Sequence, residues 1–239
     1  MSLPIHKHIY QRLKNILPSK NKIFRNKIEQ KDLQLYRDAL TLSLRYMANA
    51  RVQGDVCEFG SRGYNVRTLC NFLARFEEWR TLHFFDTFEG YPEPRKDDLG
   101  QQEIIEGSWG ADGGSVISRK QLRTQSERLY PKHLVKIYKG YFSDTLTELK
   151  DRKIALALLD ACQYTSTSEV LTHLFSKSLL SEGAMLQFAD WSTSRASPNQ
   201  GSRRAWSETI SKFNVSFSDA GTFNWGGRKF IVHAYDRQA

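Results

Sequence analysis

The sequence predicts an α/β fold of the Rossmann-like, doubly wound kind, with a seven-stranded, mostly parallel sheet, one antiparallel strand, and helices on both faces. Three observations predict it. Short strand-like runs alternate with helical segments five times from residue 54 onward. The run Ile154–Leu159 is apolar at every position, as expected of a strand covered on both sides. The chain also closes on two consecutive strand-like runs with no helix-length segment between them, and a simple hairpin can join only antiparallel neighbours.

The elements follow in order. Asp32 to Ala50 reads as a helix, with Leu33, Leu35, Ala39, Leu42 and Leu44 among its apolar positions. Asp55–Phe59 is a short strand ending at glycine, and Val66–Phe76 a helix with Leu69, Phe72, Leu73 and Phe76 on one side. Thr81–Phe85 is the second strand, closed by Asp86, and Val135–Tyr138 the third, with a helix from about Asp144. Ile154–Leu159 leads into a helix from Ser168 to about Leu179, and Ala184–Phe188 into one from Ser202 to Phe213. Val215–Phe217 and Phe230–His233 form the closing pair. Between the second and third strands, residues 92–133 break the rhythm with a glycine-rich stretch (Gly107, Gly110, Gly113, Gly114) and a helix from Ile117 to Tyr130. A connection of that length is expected to be a lid or binding loop.

The formal charge of +9 is unevenly placed. Residues 1–31 carry eight basic side chains against the single acid Glu29, so the remainder is nearly neutral and a nucleic-acid groove is not indicated. Ile5, Ile9, Leu13, Ile16 and Leu17 recur at helical spacing among those basic residues. The arm therefore reads as an amphipathic extension, either lying on an anionic membrane surface or a partner, or packed on the domain or across a homo-oligomer. This divides the chain into an arm, 1–31, and a domain, 32–239. No apolar run reaches the length of a membrane span and the chain opens without a signal-peptide core, so a cytoplasmic location is expected. Cys57, Cys70 and Cys162 are odd in number and lack metal-ligand spacing, which argues against a disulfide framework or a zinc site.

Ligands of such sheets bind at the carboxyl ends of the strands, where strand order reverses. After the first strand stands Glu58-Phe59-Gly60-Ser61-Arg62-Gly63-Tyr64-Asn65. Glycines 60 and 63 permit close approach of backbone to a ligand, and the next helix offers free N–H groups. Glu58 is a poor neighbour for a pyrophosphate but suits a positive group, such as the amino group and sulfonium of S-adenosylmethionine. Asp86 ends the second strand, placed to accept from both ribose hydroxyls. Gly140-Tyr141-Phe142 after the third suits an adenine wall, and Asp160 follows the fourth. Two alternatives share the fold class. An NAD(P)-dependent oxidoreductase would want G-x-G-x-x-G where only G-x-x-G stands, and a non-catalytic S-adenosylmethionine-binding module would keep the same turn and ribose acid.

Three blocks carry a family resemblance: Gly54-Asp55-Val56-Cys57-Glu58-Phe59-Gly60, Leu82-His83-Phe84-Phe85-Asp86-Thr87-Phe88-Glu89-Gly90-Tyr91-Pro92, and Lys139-Gly140-Tyr141-Phe142-Ser143-Asp144-Thr145-Leu146. With Leu159–Ser166, Ala189-Asp190-Trp191 and Arg203-Arg204-Ala205-Trp206 they resemble the macrocin O-methyltransferase family of class I methyltransferases over about residues 50–235. The resemblance implies S-adenosylmethionine-dependent methylation of a hydroxyl on a sugar or glycosylated natural product, often with magnesium. Carried over by position, Glu58, Gly60, Ser61, Arg62, Gly63 and Asn65 hold the methionine end, Asp86, Thr87 and Phe88 the ribose, and Gly140, Tyr141 and Phe142 the adenine side, beside Asp160.

The chain departs from the family pattern at two acids. D-G-D-x-Y becomes Asp160-Ala161-Cys162-Gln163-Tyr164, and the D-D pair becomes Ala189-Asp190. Asp160 and Asp190 are left as candidates for both the general base and any magnesium ligands, with Cys162 as the lesser alternative base. His233 reads as structural. Trp109, Trp191, Trp225 and Arg204 are candidates for an acceptor wall, since sugars stack on aromatic faces. The partner expected is a small-molecule or glycoside acceptor.

Overall fold

The structure is a computed structural model that describes residues 19–100 and 117–236. The arm's apolar positions Ile5 to Leu17, the loop glycines 107–114 and Trp109 lie outside the described residues.

Seven strands form one sheet: β1 (Asp55–Phe59), β2 (Leu82–Asp86), β3 (Val135–Lys139), β4 (Ile154–Leu159), β5 (Leu180–Phe188), β6 (Ser216–Thr222) and β7 (Arg228–Ala234). Their spatial order is β3-β2-β1-β4-β5-β7-β6. β1 to β5 pair in parallel, whereas β7 runs antiparallel to both β5 and β6. Strand order reverses between β1 and β4, which places the binding crevice above their carboxyl ends.

Period-two alternation divides the side chains between two cores. Val56, Phe84, Leu156, Leu158 and Met185 face helices α1 (Ser19–Asn49), α2 (Val66–Arg75) and α3 (Arg119–Leu129) through Leu40, Leu44, Met47, Leu69, Leu73 and Leu122. Phe59, Phe85, Ala157, Leu159, Leu186 and Phe188 face the other way. There the one-turn α4 (Phe142–Thr145) is followed by α5 (Tyr164–Ser176) and α6 (Gly201–Lys212), which supply Val170, Leu174, Phe175, Ala205 and Trp206. All six residues of β4 are buried, as its unbroken apolar run requires. Each large aliphatic side chain buried this way stabilises the fold by about 1.5–3 kcal/mol.

Several boundaries differ from expectation. α1 covers Ser19–Asn49, where a helix from Asp32 to Ala50 was expected, so residues 31 and 32 lie in one helix. The helix expected from Asp144 is a single α turn beginning at Phe142, continued by a 3-10 turn over Leu146–Leu149. α5 begins at Tyr164, not Ser168, because its first turn is capped from elsewhere in the chain: the Asp98 carboxylate accepts from Thr165 N at 2.9 Å and from Thr165 Oγ1 at 2.6 Å. β5 extends back to Leu180, and β6 runs on to Thr222.

The start of the 92–133 connection is thereby fastened to the domain. Asp98 is 2% exposed and also accepts from Arg95 N at 3.0 Å. Arg95 pairs with Glu169 at 2.7 Å, Gln163 Nε2 donates to Pro92 O at 2.9 Å, and Gln200 Nε2 donates to Gly100 O at 3.0 Å. At the far end of the connection, Ser118 caps α3 in a reciprocal box with Gln121.

Candidate active site

The turn from β1 into α2 is built around a buried acid. Glu58 is 1% exposed and accepts from Ser61 Oγ at 2.7 Å and from Asn65 Nδ2 at 2.5 Å. Burial outweighs those two donors and lifts its pKa to about 7, with the negative charges of Asp160 and Asp86 pushing the same way. Asn65 is the N-cap of α2 yet makes no side-chain cap bond, because its amide is turned to Glu58. Its Oδ1 is sealed from solvent, and the side chain also meets the buried hydroxyl of Tyr36. Gly60, at φ +85°, sits so close to β4 that a Cβ would lie 2.1 Å from the Asp160 carbonyl oxygen. Only glycine lets the two strand ends meet here. A Cβ on Gly63 would lie 2.7 Å from Ile117 Cγ2, so the far end of the long connection packs directly on this turn.

At the end of β2, Asp86 Oδ1 accepts from Phe88 N at 2.5 Å, and burial raises the carboxyl pKa to about 6. Thr87 Oγ1 donates to Gly90 O at 2.8 Å, shaping the turn that follows. Beyond β3, Tyr141 is half exposed, and Phe142 stands edge-on to Phe59 with centroids 5.9 Å apart. A cavity of about 460 Å³ opens among these elements, lined by Gly60, Arg62, Asp86, Thr87, Gly140, Tyr141, Phe142 and Asp160 on one side. Tyr91 to Arg95, Thr165, Ser166 and Glu169 line the other. That volume lies in the range of small-molecule sites.

Where the two walls meet stands a charged cluster. Arg62 grips Asp160 in a fork, Nε to Oδ2 at 3.0 Å and Nη2 to Oδ1 and Oδ2 at 2.9 Å each. Asp190 lies behind Asp160; burial and that neighbouring negative charge raise its pKa to about 7, opposed by the Arg62 guanidinium. Asp190 Oδ2 is sealed from solvent without a partner. Burial pushes the Cys162 thiol and the Tyr91 hydroxyl up in the same cluster, and Cys162 holds a left-handed φ of 52°.

The structure thus brings most of the expected set to one place. Gly60, Arg62, Asp86, Thr87, Gly140, Tyr141, Phe142 and Asp160 line the cavity, while Glu58, Ser61, Gly63 and Asn65 form the turn beneath it. Phe88 is the exception: its side chain is buried in the core and only its backbone N–H, bound to Asp86, bears on the site. Of the acceptor-wall candidates, Trp191 is buried against Phe188 and Phe230, Trp225 is 68% exposed, and Arg204 lies 3.9 Å over the Tyr164 ring while pairing with Asp97 and Glu208. None of the three lines the cavity. His233 is an exposed strand residue whose Nε2 lies 2.8 Å from Ser218 Oγ.

Two tyrosines carry no role in the sequence reading. Tyr91 stands just before the end of the Asp86–Pro92 block and could have been found there as the second aromatic after the ribose acid, past Phe88. Tyr36 of α1 faces Glu58, Asp160 and Arg62, its buried hydroxyl pKa raised, and nothing local in the sequence signals that contact.

The residues present fit S-adenosylmethionine: a buried carboxylate for a cationic amino group, an acid at the ribose position, and aromatics beyond β3. They do not fit magnesium. Both Asp160 oxygens accept from Arg62, position 162 offers a thiol and position 189 a methyl group, and no cluster of three or more metal-binding side chains occurs among the described residues.

A family model described as macrocin-O-methyltransferase (TylF) matches residues 33–209. No curated protein matches by sequence. Among solved structures, the O-methyltransferase NovP superposes with a TM-score of 0.69 at 20% identity, over 84% of this chain and 80% of that one. CalS11, a calicheamicin methyltransferase, gives 0.61 at 20% identity over 97% and 94%. TomG from Streptomyces achromogenes, involved in tomaymycin synthesis and solved with SAM, gives 0.51 at 15% identity over 86% and 89%. At these identities the superpositions speak for the fold. No helix among the described residues is long and apolar enough to cross a membrane.

Proposed function

The chain belongs to the macrocin O-methyltransferase family, and from that premise we propose that it methylates a hydroxyl of a sugar or glycosylated natural product using S-adenosylmethionine. The observation that carries the cofactor assignment is Glu58, a carboxylate buried in the turn beneath a cavity that Gly60, Asp86, Tyr141 and Phe142 line. A buried carboxylate is costly unless a cation or donors meet it, and the ligand's ammonium group supplies that charge.

S-adenosylmethionine supplies a methyl group on a positively charged sulfur. The protein's part is to place the acceptor oxygen in line with that carbon, at about 3–3.5 Å, and to take its proton. Asp160 lines the cavity, and its charge bears on the buried Asp190 beside it, which supports these two as the groups that take the proton. The two carboxylates act as a pair: the hydroxyl proton passes to the pair, the oxygen bonds to the methyl carbon, and the carbon–sulfur bond breaks with its electrons left on sulfur. Such a pair titrates as a unit rather than as two independent groups. Asp86 holds the ribose, and the segment Tyr91–Arg95, fastened through Asp98, shapes the acceptor side.

Calorimetry tests the cofactor reading: S-adenosylhomocysteine is expected to bind and NAD not to bind. Methyl transfer from labelled S-adenosylmethionine to a panel of glycosides tests the activity. Asp160→Asn and Asp190→Asn are each expected to lower kcat by about 10²–10⁴ with S-adenosylhomocysteine affinity little changed. Binding of the product nucleoside with no transfer to any hydroxylated acceptor would favour a non-catalytic binding module instead.

A further inference from the structure

We propose that this methyltransferase site works without a divalent metal, the Arg62 guanidinium holding the cation's place against Asp160. The inference rests on the methyltransferase reading above and concerns the charge that balances its acid pair.

A hard divalent ion such as magnesium needs near-octahedral oxygen ligands at short range and is commonly held through one or two carboxylates together with substrate oxygens and water. The acid pattern of the family would offer four carboxylates here. This chain retains two, Asp160 and Asp190, and replaces the others with Cys162 and Ala189. A thiol is a soft donor and a poor match for magnesium, and a methyl group is no donor at all. Of the two remaining acids, Asp160 is already chelated. Its two oxygens receive three N–H···O contacts at 2.9–3.0 Å from one planar fork, the geometry in which guanidinium and carboxylate bind most tightly.

Arg62 is placed to do this by the turn after β1, between Gly60 and Gly63, and it lines the cavity beside Asp160. Its side chain is 25% exposed and that of Asp160 7%, so the pair is shielded enough to resist screening by salt. A metal entering here would have to displace a bidentate partner that is covalently part of the chain and always charged. It would gain only Asp190 as a second protein carboxylate. The seat is therefore filled from within, and the fixed positive charge beside the acid pair supplies the field that a metal supplies elsewhere.

The test uses the full-length protein with Mn²⁺ as the probe, followed by the loss of its free-ion EPR signal, with and without saturating S-adenosylhomocysteine. Wild type is expected to bind no Mn²⁺ at millimolar concentration, and its Tm with S-adenosylhomocysteine is expected to be unmoved by added Mg²⁺. The triple variant Arg62→Gln/Cys162→Asp/Ala189→Asp is expected to acquire one Mn²⁺ site, with circular dichroism reporting its fold. Should the triple variant not fold, Arg62→Gln/Ala189→Asp serves in its place, with the same expectation.

Stoichiometric Mn²⁺ binding by wild type, lost in Asp190→Ala, would overturn the proposal. So would a folded variant that gains no site, because the exclusion would then not lie in these residues. Failure of wild type to bind S-adenosylhomocysteine would instead sink the cofactor reading, and the two failures are read from separate signals.

Discussion

Glu58 offers the sharpest test of the site, because its protonation and ligand binding are tied together. Burial holds its pKa near 7 in the free protein, against an ordinary 4.5. A ligand ammonium group binds the ionised form, so affinity should follow the ionised fraction. That fraction is about nine-tenths at pH 8 and about one-tenth at pH 6, so S-adenosylhomocysteine should bind about tenfold more weakly at pH 6 from this group alone. Asp86, with its pKa near 6, adds about another twofold by the same reasoning. The whole effect is about twentyfold.

Glu58→Gln separates the two contributions. The amide keeps the shape and can still accept from Asn65, while the Ser61 hydroxyl reverses to accept from the new N–H. Affinity at pH 8 should fall about 10–100-fold, the worth of one hydrogen bond to a charged group. The remaining pH dependence should shrink to about twofold. Calorimetry in two buffers of different ionisation enthalpy should also show a proton released on binding near pH 6 in wild type and none assigned to position 58 in the variant. A flat affinity between pH 6 and 8, or a variant that keeps the full slope, would refute the placement of an ammonium group against this acid.

The same acid has a consequence for stability. Its folded pKa lies above its unfolded value, so the native state binds more protons between about pH 4.5 and 7 and loses stability as pH rises through that window. Without ligand, Glu58→Gln should therefore raise Tm at pH 8 and leave it nearly unchanged at pH 4.5. Gly60→Ala should cost about 3 kcal/mol or more in denaturant unfolding, since a methyl group cannot occupy a point 2.1 Å from the Asp160 carbonyl oxygen. Asp98→Ala removes bonds to Thr165 and Arg95 and uncaps α5. It should increase proteolysis between residues 92 and 100 and raise KM for the acceptor more than for S-adenosylmethionine.

The parts of the site legible in the sequence are those made by short-range chemistry. Glu58, Gly60 and Asn65 fall within eight residues, and the strand-end positions of Asp86 and Asp160 follow from hydrophobic runs alone. The sheet with its reversed strand was readable because β4 is apolar throughout and the last two strands lack a connecting helix. What stayed hidden depends on contacts across the fold. The start of α5 is set by a carboxylate 67 residues upstream, and the fork between Arg62 and Asp160 joins residues 98 apart. Phe88 looked like a ligand contact from its place beside Asp86, but a left-handed φ of 59° turns its ring into the core.

The moorings of the 92–133 connection bear on how such an enzyme could be retuned. Gly100 is held by Gln200, and Ile117 packs on Gly63 in the turn after β1. Gly100 and Ile117 are thus two fixed sockets on the scaffold. A graft replacing the sequence between those two points would begin and end on parts of the scaffold that need no alteration, and the Asp86 turn and the acid pair would be left as they are.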